Sequence, residues 1–468
     1  MEKSKKNKLS FSSKLGGMLA VAGSAVGLGN IWRFPTEAGS NGGSAFILVY
    51  LAVVFIFGIP MLLTEFIIGR RSRANVGNAY NVLAPNSPWR LIGHASAIIA
   101  FVVFCYYSVV VAWVLYYFWE SLIDGFNVDG SQALEGLQSA SVTGTYDDIF
   151  ANFIQHPFLP LGFLLITLFI IHYIITAGVQ NGIEKVSKLL LPALFTVMVI
   201  LAIFTSTMPG AAKGYSFLFS FNLEYINTKV CLAALGQCFY SFSIGMGLVT
   251  YASYFQKENN LNHTAASVGL MDTLAAVIAG LIIFPAVFSI PNASPSRETE
   301  LVFVTLPSVF NSFFEKYPLL NWLIPSAFYF ILFIAAVTSA MFLHEVATAY
   351  ICEKAKLSRK KSALIVTLTS GIIGSAASLS MGPWHHYTIA GMNFFDLLDF
   401  ISSRIFLPLT GLGAALFVGW KMKKSDVYDE LTSGGMFKFV WFKIFMLLIR
   451  FVIPILIITI MVTNFILE

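Results

Sequence analysis

This chain of 468 residues contains few charged residues. Asp, Glu, Lys and Arg make up only 11% of it, whereas 57% of the residues are hydrophobic and 15% are aromatic. A soluble domain carries roughly 25% charged residues, so too few are present to cover a water-facing surface of this size. The mean hydropathy of +0.76 therefore indicates an integral protein of a lipid bilayer.

Cysteine and catalytic motifs are also scarce. The four cysteines lie in or beside apolar segments without metal-type spacing, which excludes a recognisable metal or disulfide framework. Neither Gly-x-Ser-x-Gly nor His-Glu-x-x-His occurs, and His344-Glu345 lacks a second histidine. The sequence therefore does not indicate an enzyme. The N-terminus shows no small-residue cleavage site of a secretory signal.

Eleven apolar segments are long enough to cross a bilayer, which requires roughly 20 residues each. We number these spans 1 to 11 and place them at 15–39, 44–69, 91–124, 158–176, 183–207, 230–256, 265–290, 322–352, 361–380, 392–420 and 438–465. Residues 301–318 are apolar but short and contain Pro307, so we expect a surface or re-entrant hairpin there.

Basic residues cluster in short loops and predict the orientation. They occupy the N-terminus and the loops after spans 2, 8 and 10, whereas loop 125–157 has no Lys or Arg. Positive loops stay in the cytoplasm, so we expect a plasma-membrane protein with a cytoplasmic N-terminus and Glu468 outside. For the same reason the net charge of +5 does not indicate a nucleic-acid partner.

Two spans contain stretches that cannot form a good helix, residues 23–30 in span 1 and 241–247 in span 6. Glycine inside a helix costs ~1 kcal/mol relative to alanine, and freed backbone groups in a bilayer find no water. Broken helices in corresponding halves mark a transporter's binding site. We therefore predict a cytoplasmic segment 1–14, inverted repeats 15–207 and 208–421 with a hairpin at 291–320, and a final segment 422–468. Glycines that only permit close helix packing remain the alternative.

Polar groups near the breaks indicate cation and anion binding. A broken helix offers carbonyl oxygens at one end and N–H groups at the other. Thr338 and Ser339 either bond back to carbonyls one turn earlier or, with the Ala335 carbonyl, supply oxygens to a monovalent cation. Asp272 is a carboxylate within span 7, which is a functional hypothesis by default. It requires a counter-charge such as Na⁺, unless it is merely hydrogen-bonded in a helix interface.

The residues Ala25-Val26-Gly27-Leu28-Gly29-Asn30-Ile31-Trp32-Arg33-Phe34-Pro35 closely resemble a motif of the neurotransmitter:sodium symporter family. The match continues in order through Asn41-Gly42-Gly43, Gly58-Ile59-Pro60, Glu65, Gly236-Gln237, the second break, 250–254 and Thr338-Ser339. The resemblance implies Na⁺-driven uptake by alternating access in an all-α leucine-transporter-type fold of eleven spans. The rule that paired broken helices mark a binding site was itself drawn from transporters of this kind. The two broken spans and the family resemblance are therefore not independent indications.

By resemblance, two Na⁺ ions bind between the breaks. The first would use Ala25, Asn30, Ser241 and Asp272, and the second would use Gly23, Val26, Ala335, Thr338 and Ser339. Many members have Asn where this chain has Asp272. Chloride-dependent relatives need an anion at that point, and Asp272 would supply the negative charge instead. We therefore expect no chloride requirement.

The substrate pocket, also taken from the resemblance, predicts a neutral hydrophobic amino acid, aliphatic or aromatic. Monoamine carriers have Asp at the position of Gly27, and glycine leaves room for a substrate carboxylate beside the Tyr107 hydroxyl. Met246 is adaptable in shape. The expected lining is Ala25, Gly27, Leu28, Gly29, Val103, Tyr107, Tyr240, Ser241, Ser243, Met246, Ser339 and Leu343.

The resemblance also assigns gates. Arg33 and Asp399 would close the outer side above Tyr107 and Tyr240, and the inner side would be closed by Lys8, Phe11, Tyr254 and Glu353. Lys8 replaces the usual Arg and cannot form its bidentate fork, so we expect a looser latch. Gly182 and Pro192 look like a pattern that lets the inner half of span 5 unwind, unless they form a simple kink.

The partners implied are thus an amino acid, Na⁺ and the lipid bilayer. A non-transporting amino-acid sensor or an ion channel on the same scaffold remains the alternative, because binding and turnover use the same residues. The sequence leaves open the physiological substrate, the sodium stoichiometry and the oligomeric state.

Overall fold

The computed structural model describes residues 9–123, 145–220, 223–290, 301–314 and 316–466. Within these ranges the chain is helical apart from turns and one isolated bridge between Ile389 and Met392. Nine helices are long and apolar enough to cross a bilayer, and they fall on predicted spans 2–5 and 7–11. They run Ser44–Ser72, Arg90–Ile123, Leu159–Thr176, Val179–Thr205, Leu261–Val287, Pro318–Ala355, Arg359–Met381, Phe394–Lys421 and Phe442–Thr463.

Spans 1 and 6 are broken as expected. Span 1 consists of helices Lys14–Ala25 and Gly29–Ser40, which meet at an angle of 51°. Span 6 consists of Thr228–Ser241 and a single turn, Val249–Ala252. The helical part of span 6 therefore ends four residues before the end of the predicted apolar segment. The second half of span 6 is too short to count as a membrane-crossing helix. The described residues therefore contain nine crossing helices, or ten when the two halves of span 1 are counted together as one span.

Spans 3 and 8 form the centre of the bundle. In their most apolar stretches 72% and 83% of the residues are buried, against 28% in span 5 and 33% in spans 4 and 9. The less buried spans lie at the periphery, where their exposed apolar faces would contact lipid. Both breaks pack against span 8, since a Cβ on Gly23 would lie 3.2 Å from the Thr338 Cβ and a Cβ on Gly247 would lie 2.8 Å from the Val346 Cγ1.

Short helices connect the spans at Val76–Leu83, Tyr146–Gln155, Ala211–Phe219, Leu301–Phe314 and Lys424–Thr432. Helix Leu301–Phe314 is too short to cross, and the predicted hairpin at 291–320 stays a prediction because part of it lies outside the described ranges. Its Phe303 contacts Trp32 of span 1 at 5.5 Å and stacks on Phe150 at 5.0 Å, so it covers that end of the bundle. Residues 124–144 and 291–300 lie outside the described ranges, and the predicted repeat boundaries stay a prediction.

Candidate substrate and sodium site

The break in span 1 follows helix Lys14–Ala25. Val26 leaves the helical region with φ −75° and ψ 94°, and the chain becomes helical again at Gly29. The N–H of Gly27 donates to the side-chain oxygen of Asn30 at 3.0 Å. Because a helix leaves its last four carbonyls without intrahelical partners, backbone oxygens become available to a cation at this point.

The break in span 6 depends on three residues with positive φ: Ser243 (52°), Gly245 (83°) and Gly247 (90°). A Cβ on Gly245 would also come within 2.6 Å of the Thr410 Oγ1, so glycine is required there for space as well as conformation. The Ser243 hydroxyl donates to the carbonyl of Ser24 at 2.9 Å. The two unwound stretches are therefore bonded directly to one another.

Glu65 of span 2 stabilises the break in span 6 by hydrogen bonds to its backbone. Its buried carboxylate accepts from the N–H of Gly245 at 2.7 Å and of Val249 at 3.2 Å. These are donors that an unwound stretch and a helix start leave unpaired. The sequence contained Glu65 only as part of the family motif, and its role was not predicted. The signal that was available is a carboxylate inside an apolar span.

Asp272 lies at the centre of a buried polar cluster and is itself fully buried. Its Oδ2 accepts from the Tyr50 hydroxyl at 2.6 Å, and its Oδ1 accepts from the Asn30 amide at 2.8 Å and from the Ser241 hydroxyl. All three donors are neutral. Among the described residues no Lys, Arg or His forms an ion pair with Asp272, so a buried negative charge is left for a cation to balance.

The orientation of Asn30 bears on the first sodium set. Its oxygen accepts from the Gly27 N–H, and its amide nitrogen faces Asp272 and the Ser241 hydroxyl at 2.8 and 3.2 Å. An amide oxygen and nitrogen exchange places by a half-turn of the terminal group. The prediction that Asn30 offers oxygen to Na⁺ therefore requires that half-turn. Asn30, Ser241 and Asp272 lie together, and Ala25 lines the adjacent cavity.

The second predicted sodium set lies between span 1 and span 8. The Ser339 hydroxyl approaches the Gly23 carbonyl at 3.5 Å, and the Thr338 hydroxyl donates to the Ala335 carbonyl at 3.0 Å. Thr338 therefore forms the bond to a carbonyl one turn earlier that the sequence left open as an alternative to cation binding. A hydroxyl that donates one bond still presents lone pairs, so the same oxygen remains able to bind a cation.

A cavity of about 280 Å³ lies between the two breaks, and Ala25 and Ser241 of the first sodium set and Ser339 of the second line it. All twelve residues predicted to contact substrate line it, and so do both predicted outer-gate residues, Arg33 and Asp399. The sequence did not predict five further lining residues, which are Ser24, Trp32, Tyr106, Val110 and Phe342. The volume is close to the lower end of small-molecule sites, roughly 300–1,000 Å³, and suits a ligand of amino-acid size.

Gly27 is the more closely packed of the two glycines that line this cavity. A Cβ there would lie 2.5 Å from the Ser339 Oγ and 3.8 Å from the Tyr107 hydroxyl. Gly29 differs, because a Cβ on it would meet no atom within 4 Å. The backbone of Gly27 therefore lies close to the Ser339 and Tyr107 hydroxyls.

Comparisons with known proteins agree with this geometry. The model of the sodium:neurotransmitter symporter family matches residues 8–129 and 156–467. This chain belongs to that family. An uncharacterized sodium-dependent transporter of Bacillus subtilis (strain 168), YhdH, is 35% identical over 97% of both chains. The sodium-dependent neutral amino acid transporter B(0)AT2 of Mus musculus is 28% identical over 58% of this chain and 40% of its own.

A solved structure supports the fold directly. The crystal structure of MhsT in complex with L-phenylalanine is similar to this chain with a TM-score of 0.85 and 39% identity, covering 98% of this chain and all of the other. The predicted all-α leucine-transporter-type fold is therefore confirmed. The identities of the ligands and ions in this chain are not part of that finding.

The predicted outer gate lies at one end of the symporter's cavity. The Arg33 guanidinium lies 4.3 Å from the centre of the Tyr240 ring and pairs with Glu37 at 3.5 Å. Asp399 lines the same cavity. Arg33 is therefore held over the aromatic lid by Tyr240 and Glu37, and a direct Arg33–Asp399 bridge stays a prediction.

The predicted inner gate is a packed aromatic cluster. Phe11 is buried, donates its N–H to the Tyr254 carbonyl at 3.1 Å, and contacts the Tyr254 ring at 5.7 Å. Glu353 accepts from the Asn78 amide at 2.8 Å. Lys8 lies outside the described residues, so its pairing with Glu353 stays a prediction.

A buried ion pair that the sequence did not predict closes the same side. The Tyr254 hydroxyl donates to Glu345 at 2.6 Å, and Arg359 forms a two-pronged ion pair with that carboxylate. Arg359 also donates to the Ile175 carbonyl at 2.9 Å. This pair links spans 4, 6, 8 and 9. Sequence analysis noted Glu345 only while excluding a metal motif.

Span 5 is helical across the Gly182–Pro192 stretch. Its first turns, Val179–Glu184, are π-helical and follow Gly178, whose φ is 97°. Pro192 has no N–H for the carbonyl of Lys188, so the wound helix already lacks one bond there. In this conformation the stretch has not unwound, and the unwinding hypothesis stays a prediction about another state.

Proposed function

We propose that this chain is a sodium-coupled symporter for neutral hydrophobic L-amino acids, aliphatic or aromatic, that works by alternating access. The observation that carries the proposal is a cavity that residues of both breaks line, among them Ser241, whose hydroxyl donates to the buried Asp272. An amino-acid carboxylate would accept from the Tyr107 hydroxyl and from N–H groups of the break in span 1.

The remaining lining favours an uncharged side chain. Val103, Val110, Met246, Phe342 and Leu343 are apolar, and Arg33 and Asp399 are the only charged residues among those that line the cavity. A charged substrate side chain in that apolar part would lose its hydration without gaining a partner. L-phenylalanine in MhsT and neutral amino acids for B(0)AT2 are consistent with this substrate class.

Sodium would serve as the co-transported ion at two sites. The first would balance the Asp272 charge, and the second would lie between the Gly23 carbonyl and the Thr338 and Ser339 hydroxyls. Oxygen donors of this kind suit a hard cation. Because Asp272 supplies a fixed negative charge next to the first ion, we propose that transport needs no chloride.

Release of the second ion would follow unwinding of span 5. A Cβ on Gly23 would lie 3.3 Å from the Leu191 Cδ1, so span 5 covers this site. At its inner end, Glu184 accepts from the Ser12 N–H at 2.6 Å and from the Ser12 and Ser13 hydroxyls at 2.7 and 2.9 Å. We propose that this contact holds span 5 wound until the N-terminal segment moves.

Uptake by purified protein in proteoliposomes tests the function. We expect labelled leucine or tryptophan to accumulate with an inward Na⁺ gradient and not with K⁺, and unlabelled hydrophobic amino acids to compete. Replacement of chloride by gluconate should leave the rate unchanged, and abolished transport would refute chloride independence.

Counterflow of labelled amino acid separates a symporter from the alternatives. A sensor would bind the amino acid in Na⁺ without exchange across the membrane, and a channel would pass current far above substrate flux. Either result would overturn the symporter proposal while leaving the binding site intact. Labelling of single cysteines in loop 125–157 and near residue 424 would test the proposed plasma-membrane orientation.

A further inference from the structure

Spans 10 and 11 meet at an arginine that is locked in place. Arg450 of span 11 donates through Nε to the Gly419 carbonyl at 2.6 Å, and its guanidinium lies 5.4 Å from the centre of the Trp420 ring. The Trp420 indole donates in return to the Arg450 carbonyl at 3.2 Å. A Cβ on Gly419 would lie 3.2 Å from the Arg450 Cγ, so this small residue leaves room for the arginine.

The charge of Arg450 is not balanced by protein. In the described part of the chain Arg450 forms no ion pair, and Nε is its one guanidinium nitrogen with a hydrogen-bond acceptor. The carboxylates of the neighbouring helix Lys424–Thr432 are already engaged, because Asp426 and Asp429 pair with Arg71 and Glu430 pairs with Arg70. The two terminal nitrogens therefore remain available to an anion.

The position along the spans places Arg450 near one surface of the membrane. Gly419 lies two residues before the end of the Phe394–Lys421 helix, on the side that also carries the Arg70–Glu430 contact. Trp420 is 57% exposed and Phe451 is 49% exposed, and their rings contact one another at 5.4 Å. Exposed aromatic rings beside a cation are typical of the headgroup level of a bilayer.

We propose that Arg450, Trp420 and Phe451, together with the exposed Lys421, bind the headgroup of an anionic phospholipid. A phosphate oxygen pair accepts from the two terminal nitrogens of Arg450, a geometry that the planar guanidinium favours. Lys421 adds a second positive charge, and an acyl chain lies over the two aromatic rings. Clusters of basic residues between helices on the cytoplasmic side bind lipid headgroups for the same reason.

Quenching of Trp420 fluorescence by brominated lipids tests this site in nanodiscs. Trp420→Phe identifies the signal of that tryptophan among the eight of the chain. At equal mole fraction we expect brominated phosphatidylglycerol to quench Trp420 roughly fivefold more effectively than brominated phosphatidylcholine, the preference that one basic residue gives at an anionic surface. No preference in the unaltered protein would overturn the proposal and would indicate a bulk lipid contact only.

Three variants test whether Arg450 causes the preference for phosphatidylglycerol. Arg450→Gln should remove most of it and leave only the contribution of Lys421, whereas Lys360→Gln, which changes an exposed lysine at the start of span 9, should keep it in full. Arg450→Lys, which keeps the charge without the planar fork, should retain part of it and remains informative if Arg450→Gln does not fold. Persistence of the full preference in Arg450→Gln contradicts the site. The readout requires neither Na⁺ nor substrate, so it stands or falls separately from the symporter proposal.

Discussion

The hydroxyl of Ser243 donates to the carbonyl of Ser24 at 2.9 Å, and this bond joins one broken span to the other. Ser243 holds a left-handed φ of 52°, which costs a residue other than glycine about 1–3 kcal/mol. The bond helps to offset that strain. It is also a direct contact through which the two breaks are coupled.

Removal of this bond should weaken substrate binding. We expect Ser243→Ala to lower amino-acid affinity several-fold, because the bond contributes about 1 kcal/mol and the strained φ remains. Ser206→Ala removes an exposed hydroxyl that only bonds back to Ile203 and should change nothing. Equal affinities in equilibrium binding for Ser243→Ala and the unaltered protein would show that the breaks are held together by packing alone.

Loss of the Asp272 charge should weaken sodium binding sharply. In Asp272→Asn the Tyr50, Asn30 and Ser241 donors remain, but the buried negative charge that attracts Na⁺ is gone. We expect at least a tenfold rise in the Na⁺ concentration for half-maximal amino-acid binding, which corresponds to about 1.4 kcal/mol. Unchanged Na⁺ dependence would remove Asp272 from the site.

The Tyr50 hydroxyl should affect the Na⁺ affinity of the site through its hydrogen bond to Asp272. Tyr50→Phe removes the 2.6 Å bond to Oδ2 of Asp272 and leaves a buried charge with one donor fewer, so we expect a several-fold change in Na⁺ affinity. Tyr329→Phe is the matched control, because Tyr329 is equally buried and its hydroxyl donates to the Val302 carbonyl. If both variants behave alike in Na⁺ titrations, the effect is structural and not specific to the ion.

Two glycines of the same motif should respond differently to alanine. The Gly27→Ala methyl would press on the Ser339 Oγ at 2.5 Å, beside the Tyr107 hydroxyl, whereas the Gly29→Ala methyl meets nothing within 4 Å. We therefore expect Gly27→Ala to reduce Na⁺-dependent amino-acid uptake at least tenfold and Gly29→Ala to retain most of it. The reverse order would mean that the carboxylate does not bind at Gly27.

Much of the architecture was predictable because its cause is local. Long apolar stretches determine where helices cross, and glycine runs determine where two of them break. The half-helix after the second break was not predictable in length. Arg73, at the end of span 2, binds the carbonyls of Ser253 and Phe255 just after this half-helix, and only the folded bundle provides these contacts.

The predicted site divides in the same way. Residues assigned by the family resemblance, such as Gly27 and Tyr107, line the cavity, and their contact with substrate stays a prediction. The roles of Glu65 and Glu345 were missed, because each depends on a partner far away in sequence, Gly245 in one case and Tyr254 in the other. The side chain of Asn30 also turns its oxygen toward Gly27, a choice that no sequence pattern indicates.

Glu184 provides a test of how span 5 opens. Its carboxylate holds three donors from Ser12 and Ser13 and pairs with Lys188 at 2.7 Å. Glu184→Gln keeps the size of the side chain and weakens these charge-assisted bonds. We expect faster amide hydrogen exchange in residues 182–192 and a lower apparent Na⁺ affinity, because the wound state that covers Gly23 is disfavoured.

Glu258→Gln, on an exposed loop between spans 6 and 7, is the control for charge loss on the same side and should exchange like the unaltered protein. Exchange in 182–192 should slow when Na⁺ is present, because the ion binds the wound state and shifts the population toward it. Equally slow exchange with and without Na⁺, in both the unaltered protein and Glu184→Gln, would show that Gly182 and Pro192 form only a fixed kink. In that case the second sodium ion must leave by a path that does not require span 5 to unwind.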